Sequence, residues 1–95
     1  MRNVKIMVSQ LHPRTLIYFF KSIRKDKEYS KEEIVSRIEK LGDKQARLSI
    51  LITELIRSLN EFQIINYNEI IKKFTITNQG LLLKSILLRN EGLFF

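Results

Sequence analysis

The sequence predicts a mostly helical domain carrying one small β-hairpin, and three observations lead there. Four stretches, 16–23, 34–41, 48–62 and 81–88, repeat their apolar residues at helical spacing or are apolar almost throughout. Residues 63–76 change period and become rich in Ile, Tyr, Phe and Thr, with Asn66, Asn68 and Glu69 between the two richest runs as turn formers. At 95 residues, the chain supports one hydrophobic core, which buries roughly 60 to 65% of the surface exposed on unfolding. Residues 1–95 are therefore read as one domain.

The opening alternates apolar residues at Val4, Ile6 and Val8, the pattern of a short strand or an ordered arm over 1–12. Pro13 then stands where a first helical turn tolerates a missing donor. In the helix expected over 13–24, Leu16, Ile17, Phe20 and Ile23 share one face, and Tyr18 and Phe19 widen the apolar arc enough to require cover on two sides. Those aromatics read as core rather than as a platform for stacking single-stranded bases. His12, beside Pro13, reads as part of the approach to this helix rather than as a ligand.

The second helix has the clearest start. Ser30 and Glu33 form a capping box, with Tyr29 and Ile34 at the positions of a hydrophobic staple. Ile34, Ile38 and Leu41 follow at i, i+4 and i+7, and Gly42 is placed to end the helix in a left-handed conformation. Asp43 is expected to cap a third helix over 44–62 immediately, making a tight helix-turn-helix corner. At 100° per residue, Leu48, Ile52, Leu55, Ile56, Leu59 and Phe62 fall on its core side, and Ala46, Arg47, Ile50, Thr53, Glu54 and Arg57 lie opposite.

After the hairpin, a last helix is expected to begin near Thr77 or Asn78 and to end by Gly92. Leu81, Leu82, Leu83, Ile86, Leu87 and Leu88 cover most of its circumference. Helices apolar all round are buried, and a domain of this size has little core left for another, so these six residues are expected to form a homodimer interface.

Composition narrows the function. Seventeen Lys and Arg against ten Asp and Glu leave a net charge of +7, which makes a polyanion the first partner to consider. Charge alone does not choose between nucleic acid and an anionic membrane. No membrane span is expected: the apolar runs fall short of about 20 residues, and Lys84 interrupts the longest. With no cysteine and a single histidine, neither a disulfide framework nor a usual zinc site is expected. No glycine-rich phosphate loop or nucleophile elbow appears, and the near pairs Glu32–Glu33 and Asp26–Glu28 lie in a capping turn and a charged connection. Neither an enzyme nor a cofactor is expected, and the location expected is cytoplasmic, with the nucleoid.

The order helix, helix, tight turn, helix, hairpin, helix is that of a winged helix-turn-helix over 13–76, followed by a C-terminal dimerisation helix and tail over 77–95. Residues 30–80 resemble the small winged-helix transcriptional regulators of the MarR, PadR and ArsR type and their archaeal relatives. Ile56, Leu59, Phe62, Gln63, Ile64 and Ile65 look like that family's "L-x-x-L-x-x-x-G-L-I" passage from recognition helix into wing, with Gln63 where glycine is usual and a different backbone therefore expected. The run Phe74, Thr75, Ile76, Thr77, Asn78, Gln79, Gly80 looks like its "Y-x-L-T-x-x-G", and Ser30, Glu33, Ile34 and Ile38 resemble the first helix of its reading unit.

The resemblance implies a sequence-specific regulator that binds double-stranded DNA as a homodimer. On that reading Gln45, Arg47, Ser49, Ile50 and Thr53 read bases: arginine suits guanine, glutamine adenine, and isoleucine a thymine methyl. Ser30, Lys31, Lys44, Arg57, Lys72 and Lys73 contact phosphates. For the exposed arginines alone a plain solvated face is the better account, so Ile50 is the residue that speaks for a partner, and Lys72 and Lys73 would also protect an edge strand. The alternative is a winged-helix protein-interaction module within a larger assembly, for which Ile50 and the tail Leu93, Phe94 and Phe95 would serve.

Overall fold

The computed structural model describes residues 13–93; the expected N-terminal arm, His12, Phe94 and Phe95 lie outside them. Among the described residues the chain forms α1 (Pro13–Lys21), β1 (Tyr29–Ser30), α2 (Lys31–Leu41), α3 (Leu48–Glu61), β2 (Ile65–Asn68), β3 (Lys73–Ile76), α4 (Asn78–Arg89) and a 3-10 turn, Glu91–Leu93. The architecture is mostly helical, with a small three-stranded antiparallel sheet in the order β1-β3-β2.

α1 stops three residues short of the expected end. The Ser22 amide donates to the carbonyls of both Tyr18 and Phe19, and the Ser22 hydroxyl donates to the Tyr18 carbonyl at 2.8 Å, tightening the last turn. The connection that follows bends back through Asp26 in a left-handed conformation, φ 62°. It is then pinned where the Arg24 amide donates to the Tyr29 hydroxyl at 3.0 Å.

β1 is an element that sequence reading missed. It pairs Tyr29 with Phe74 and Ser30 with Lys73, but two residues are too few to show a strand period. β3 is consequently the central strand, paired on its other side with β2 through Tyr67–Phe74 and Asn68–Lys73. Lys73 is therefore not an edge-strand residue, and protection of an edge does not explain it.

α2 starts as expected, with both halves of the capping box present, and ends at Gly42 with φ 119°. The corner after it is longer than expected: residues 42–47 separate α2 from α3, and Asp43 does not cap α3. Its carboxylate instead accepts from the hydroxyl of buried Thr15 on α1 and from the side-chain amide of Gln45 at 3.1 Å. That amide also reaches the Thr15 hydroxyl at 3.2 Å.

The core gathers Phe19, Phe20 and Ile23 of α1 and its end, Ile34 and Ile38 of α2, Leu48, Ile52, Leu55 and Ile56 of α3, and Tyr29, Ile65, Phe74 and Ile76 of the sheet. Phe19 stacks on Phe74 with centroids 5.9 Å apart and rings 13° from parallel, joining α1 to the central strand. Phe62, expected on the core side of α3, is exposed, because the helix has ended at Glu61 and the chain turns there.

The passage out of α3 keeps the conformation that glycine favours although a glutamine occupies it: Gln63 has φ 60°, so the different backbone expected there is not found. The α4 start explains the residues after it. The Thr77 hydroxyl accepts from the Gly80 amide at 3.0 Å and donates toward the carbonyls of Gln63 and Ile64. A Cβ on Gly80 would stand 2.1 Å from the Ile64 carbonyl oxygen, so only glycine lets α4 approach the strand so closely.

Candidate nucleic-acid interface

The burial of α3 determines what it can offer a partner. Leu48, Ile52, Leu55 and Ile56 are buried, and the 3.6-residue period then turns Ser49, Ile50 and Arg57 outward, where all three are exposed. Ile50 is 56% exposed in the middle of this strip. Thr53 is half-buried beside them, its hydroxyl donating to the Ser49 carbonyl at 3.0 Å. Arg57 is 3.4 Å from the Glu54 carboxylate, an exposed pair too weak to hold the guanidinium in place.

The corner residues divide. Lys44 and Arg47 are exposed, and Arg47 occupies the N-cap position of α3 without a side-chain cap. Gln45, expected to read bases, has its amide committed to Asp43 and Thr15.

At the start of α2, Lys31 is half-buried and Ser30 Oγ accepts from the Glu33 amide at 3.2 Å. The Glu33 carboxylate returns the bond, accepting from the Ser30 amide at 2.9 Å. That backbone hydrogen bond is the main reason the Glu33 carboxyl lies below its ordinary pKa; desolvation opposes it, and the Ser30 hydroxyl and the charges of Lys73 and Arg37 add smaller lowering contributions. The N-terminus of α2 thus already carries a carboxylate, which reduces its attraction for a phosphate.

Two residues unremarked in the sequence bring the hairpin to α3. The Asn60 side-chain carbonyl accepts from the Tyr67 amide at 3.0 Å, tying the end of α3 to β2. Between them lies a groove of about 220 Å³ lined by Lys31, Thr53, Arg57, Asn60, Tyr67 and Glu69, together with Ile56. The bond joins the end of a helix to a strand across the turn between them, so the period of neither element marks it in the sequence. Lys72 and Lys73 are exposed at the tip end of the hairpin, where Lys73 pairs with Ser30 beside Lys31. The structure thus brings Lys31, Thr53 and Arg57 around one groove, sets Ser49 and Ile50 on the neighbouring face, and leaves Gln45 engaged elsewhere.

The six apolar residues of the last helix also divide. Leu81, Leu83 and Leu87 pack against the domain's own core, and Leu88 is half-buried. Leu82 and Ile86 remain 68% and 52% exposed. Lys84 sits on the inward side, its ammonium donating to the Ile23 carbonyl, and burial chiefly, with Arg24 nearby, lowers its pKa.

No family model, curated protein or solved structure matches the chain. Among the described residues no group of three His, Cys, Asp or Glu is placed to hold a metal ion, and no helix is long and apolar enough to cross a membrane.

Proposed function

We propose that the protein is a sequence-reading, duplex-DNA-binding transcriptional regulator of the winged helix-turn-helix kind. The observation that carries this reading is the outward strip of α3, with Arg47, Ser49, Ile50, Thr53 and Arg57, bordered by a groove that Lys31 shares with the hairpin, whose Lys72 and Lys73 are exposed and whose Lys73 pairs with Ser30 beside Lys31. The net charge of +7 supports it. In this reading α3 enters the major groove, where Arg47 meets a guanine edge and Ile50 a thymine methyl, and the lysines hold phosphates.

The regulator acts as a homodimer through α4, where Leu82 and Ile86 stand four residues apart on one side of the helix, exposed and apolar. A two-fold pair sets its half-sites about 34 Å apart, one helical turn, or a multiple of it.

Selection of bound duplexes from a random pool, at about 50 and 200 mM salt, tests all three parts of the reading. The expected result is a recovered inverted repeat, affinity falling steeply with salt, and Arg47→Ala relaxing preference at one position at a cost of about 1 to 3 kcal/mol. A flat salt response overturns it. That outcome would favour a protein-binding module instead, for which the observation is Ile50, a large apolar side chain at the centre of the strip.

A further inference from the structure

We propose that Ile70, at the tip of the hairpin, is an apolar wedge that enters the duplex beside α3, unstacks a base step and bends the DNA. This rests on the DNA-binding reading and adds a mechanical act to it. Ile70 is 92% exposed, the most exposed large hydrophobic residue among those described, and its neighbour Ile71 is 48% exposed.

The tip is ordered by its own hydrogen bonds. The Asn68 side-chain carbonyl accepts from the amides of Ile70 at 2.9 Å and Ile71 at 3.3 Å, and the Asn68 backbone carbonyl accepts from the Lys72 amide at 2.8 Å. Lys72 closes the turn in a left-handed conformation, φ 57°. The Asn60–Tyr67 bond holds the strand against α3 one residue before the turn begins at Asn68. An isoleucine displayed on so constrained a turn loses little freedom on insertion.

The charges beside it select the occupant. Exposed Lys72 and Lys73 follow just after Ile71, while Glu69, immediately before Ile70, lines the groove shared with Lys31 and Arg57. An exposed apolar side chain with two exposed lysines two and three residues on suits a base step beside phosphates, and inserted apolar wedges kink DNA by roughly 20 to 90°.

The test uses the full chain and a duplex of about 24 alternating T·A pairs, which offers a deformable TA step in every register, at low salt where backbone charge alone holds it. End-to-end energy transfer reads the bend, and 2-aminopurine fluorescence reads unstacking. The unmodified protein is expected to raise both signals, and Ile70→Ser to bind the same duplex while leaving both at the free-DNA level. Binding without a bend, or a bend unchanged in Ile70→Ser, overturns the wedge and leaves DNA binding standing. Failure of both proteins to bind any duplex overturns the wedge and the DNA reading together. If Ile70→Ser instead abolishes binding to phosphatidylserine vesicles, or dissociates a self-assembled form in sedimentation, the tip serves a membrane or a second copy and the wedge is overturned.

Discussion

α2 and α3 are neighbours in the chain and begin in opposite ways. The cap that starts α2 lies within a few residues, although its N-cap Ser30 also pairs with Lys73 of β3: Ser30 and Glu33 exchange hydrogen bonds, and Tyr29 and Ile34 are buried on either side of them. Nothing comparable starts α3. Its N-cap residue Arg47 makes no side-chain cap, and the corner before it is held by Thr15, 28 residues upstream of Asp43. A local cap belongs to its own segment and survives wherever that segment goes. A helix start held by tertiary contacts exists only when α1 is docked, so the placement of α3, and with it the outward strip, depends on an element that contributes nothing to that strip.

If that contrast is correct, breaking a tertiary hold should cost more than breaking a local cap. α4 offers the severest case because its start has both devices, the Thr77 cap and the approach of Gly80 to the Ile64 carbonyl. In an open helix Gly→Ala stabilises by about 1 kcal/mol. Here the added carbon would meet a backbone oxygen at 2.1 Å and the Ile76 side chain at 2.6 Å, so Gly80→Ala should destabilise by about 3 kcal/mol as the helix is pushed from the strand. A lowered urea midpoint at unchanged slope checks this; a raised midpoint would break the contrast.

Next in size is Thr15→Val, which keeps the shape of a fully buried side chain and removes the hydroxyl that binds Asp43 and Gln45. The expected cost is about 1 to 3 kcal/mol from partners left unsatisfied. Native-state hydrogen exchange should sharpen the comparison: the amides of Leu48 and Leu51, bonded to the carbonyls of Gln45 and Arg47, should lose protection before those of α2 do.

The same contrast explains what the sequence revealed. The α2 cap, its Gly42 terminus, the α3 core stripe and the α4 start at Thr77 were legible because each is written within one turn or one period. The sheet was legible only as a hairpin, since β1 contributes two residues and is defined by its partner Phe74. The corner was misread because Asp43 suits a local cap, and nothing nearby revealed that Thr15 and Gln45 claim its carboxylate. For the candidate interface, exposure of Ile50 and Arg57 followed from helical phase. The engagement of Gln45 with Thr15 required distant parts of the chain to meet, and the Asn60–Tyr67 bond joins a helix end to a strand across a turn that neither period describes.

The smallest expected effects lie in the local cap itself. Ser30→Ala removes the acceptor for the Glu33 amide and should cost about 1 kcal/mol. Glu33→Gln retains an oxygen that can accept from the Ser30 amide but removes the charge, which separates geometry from electrostatics. The Glu33 carboxyl lies below its ordinary pKa in the folded chain, chiefly through the Ser30 backbone hydrogen bond. Its stabilisation is therefore fully present above the ordinary carboxylate pKa and is lost as pH falls through the lowered folded value. Because the group is exposed and screened by solvent, the difference between the two proteins should not exceed about 0.5 kcal/mol at neutral pH. It should shrink as salt is raised and vanish in acid, where both side chains are uncharged. Urea unfolding of the two proteins across the acid range measures this. A gap that persists after Glu33 is protonated would mean that the glutamine fails to restore the cap geometry, and that the advantage of a local start lies in the hydrogen bond rather than in the charge.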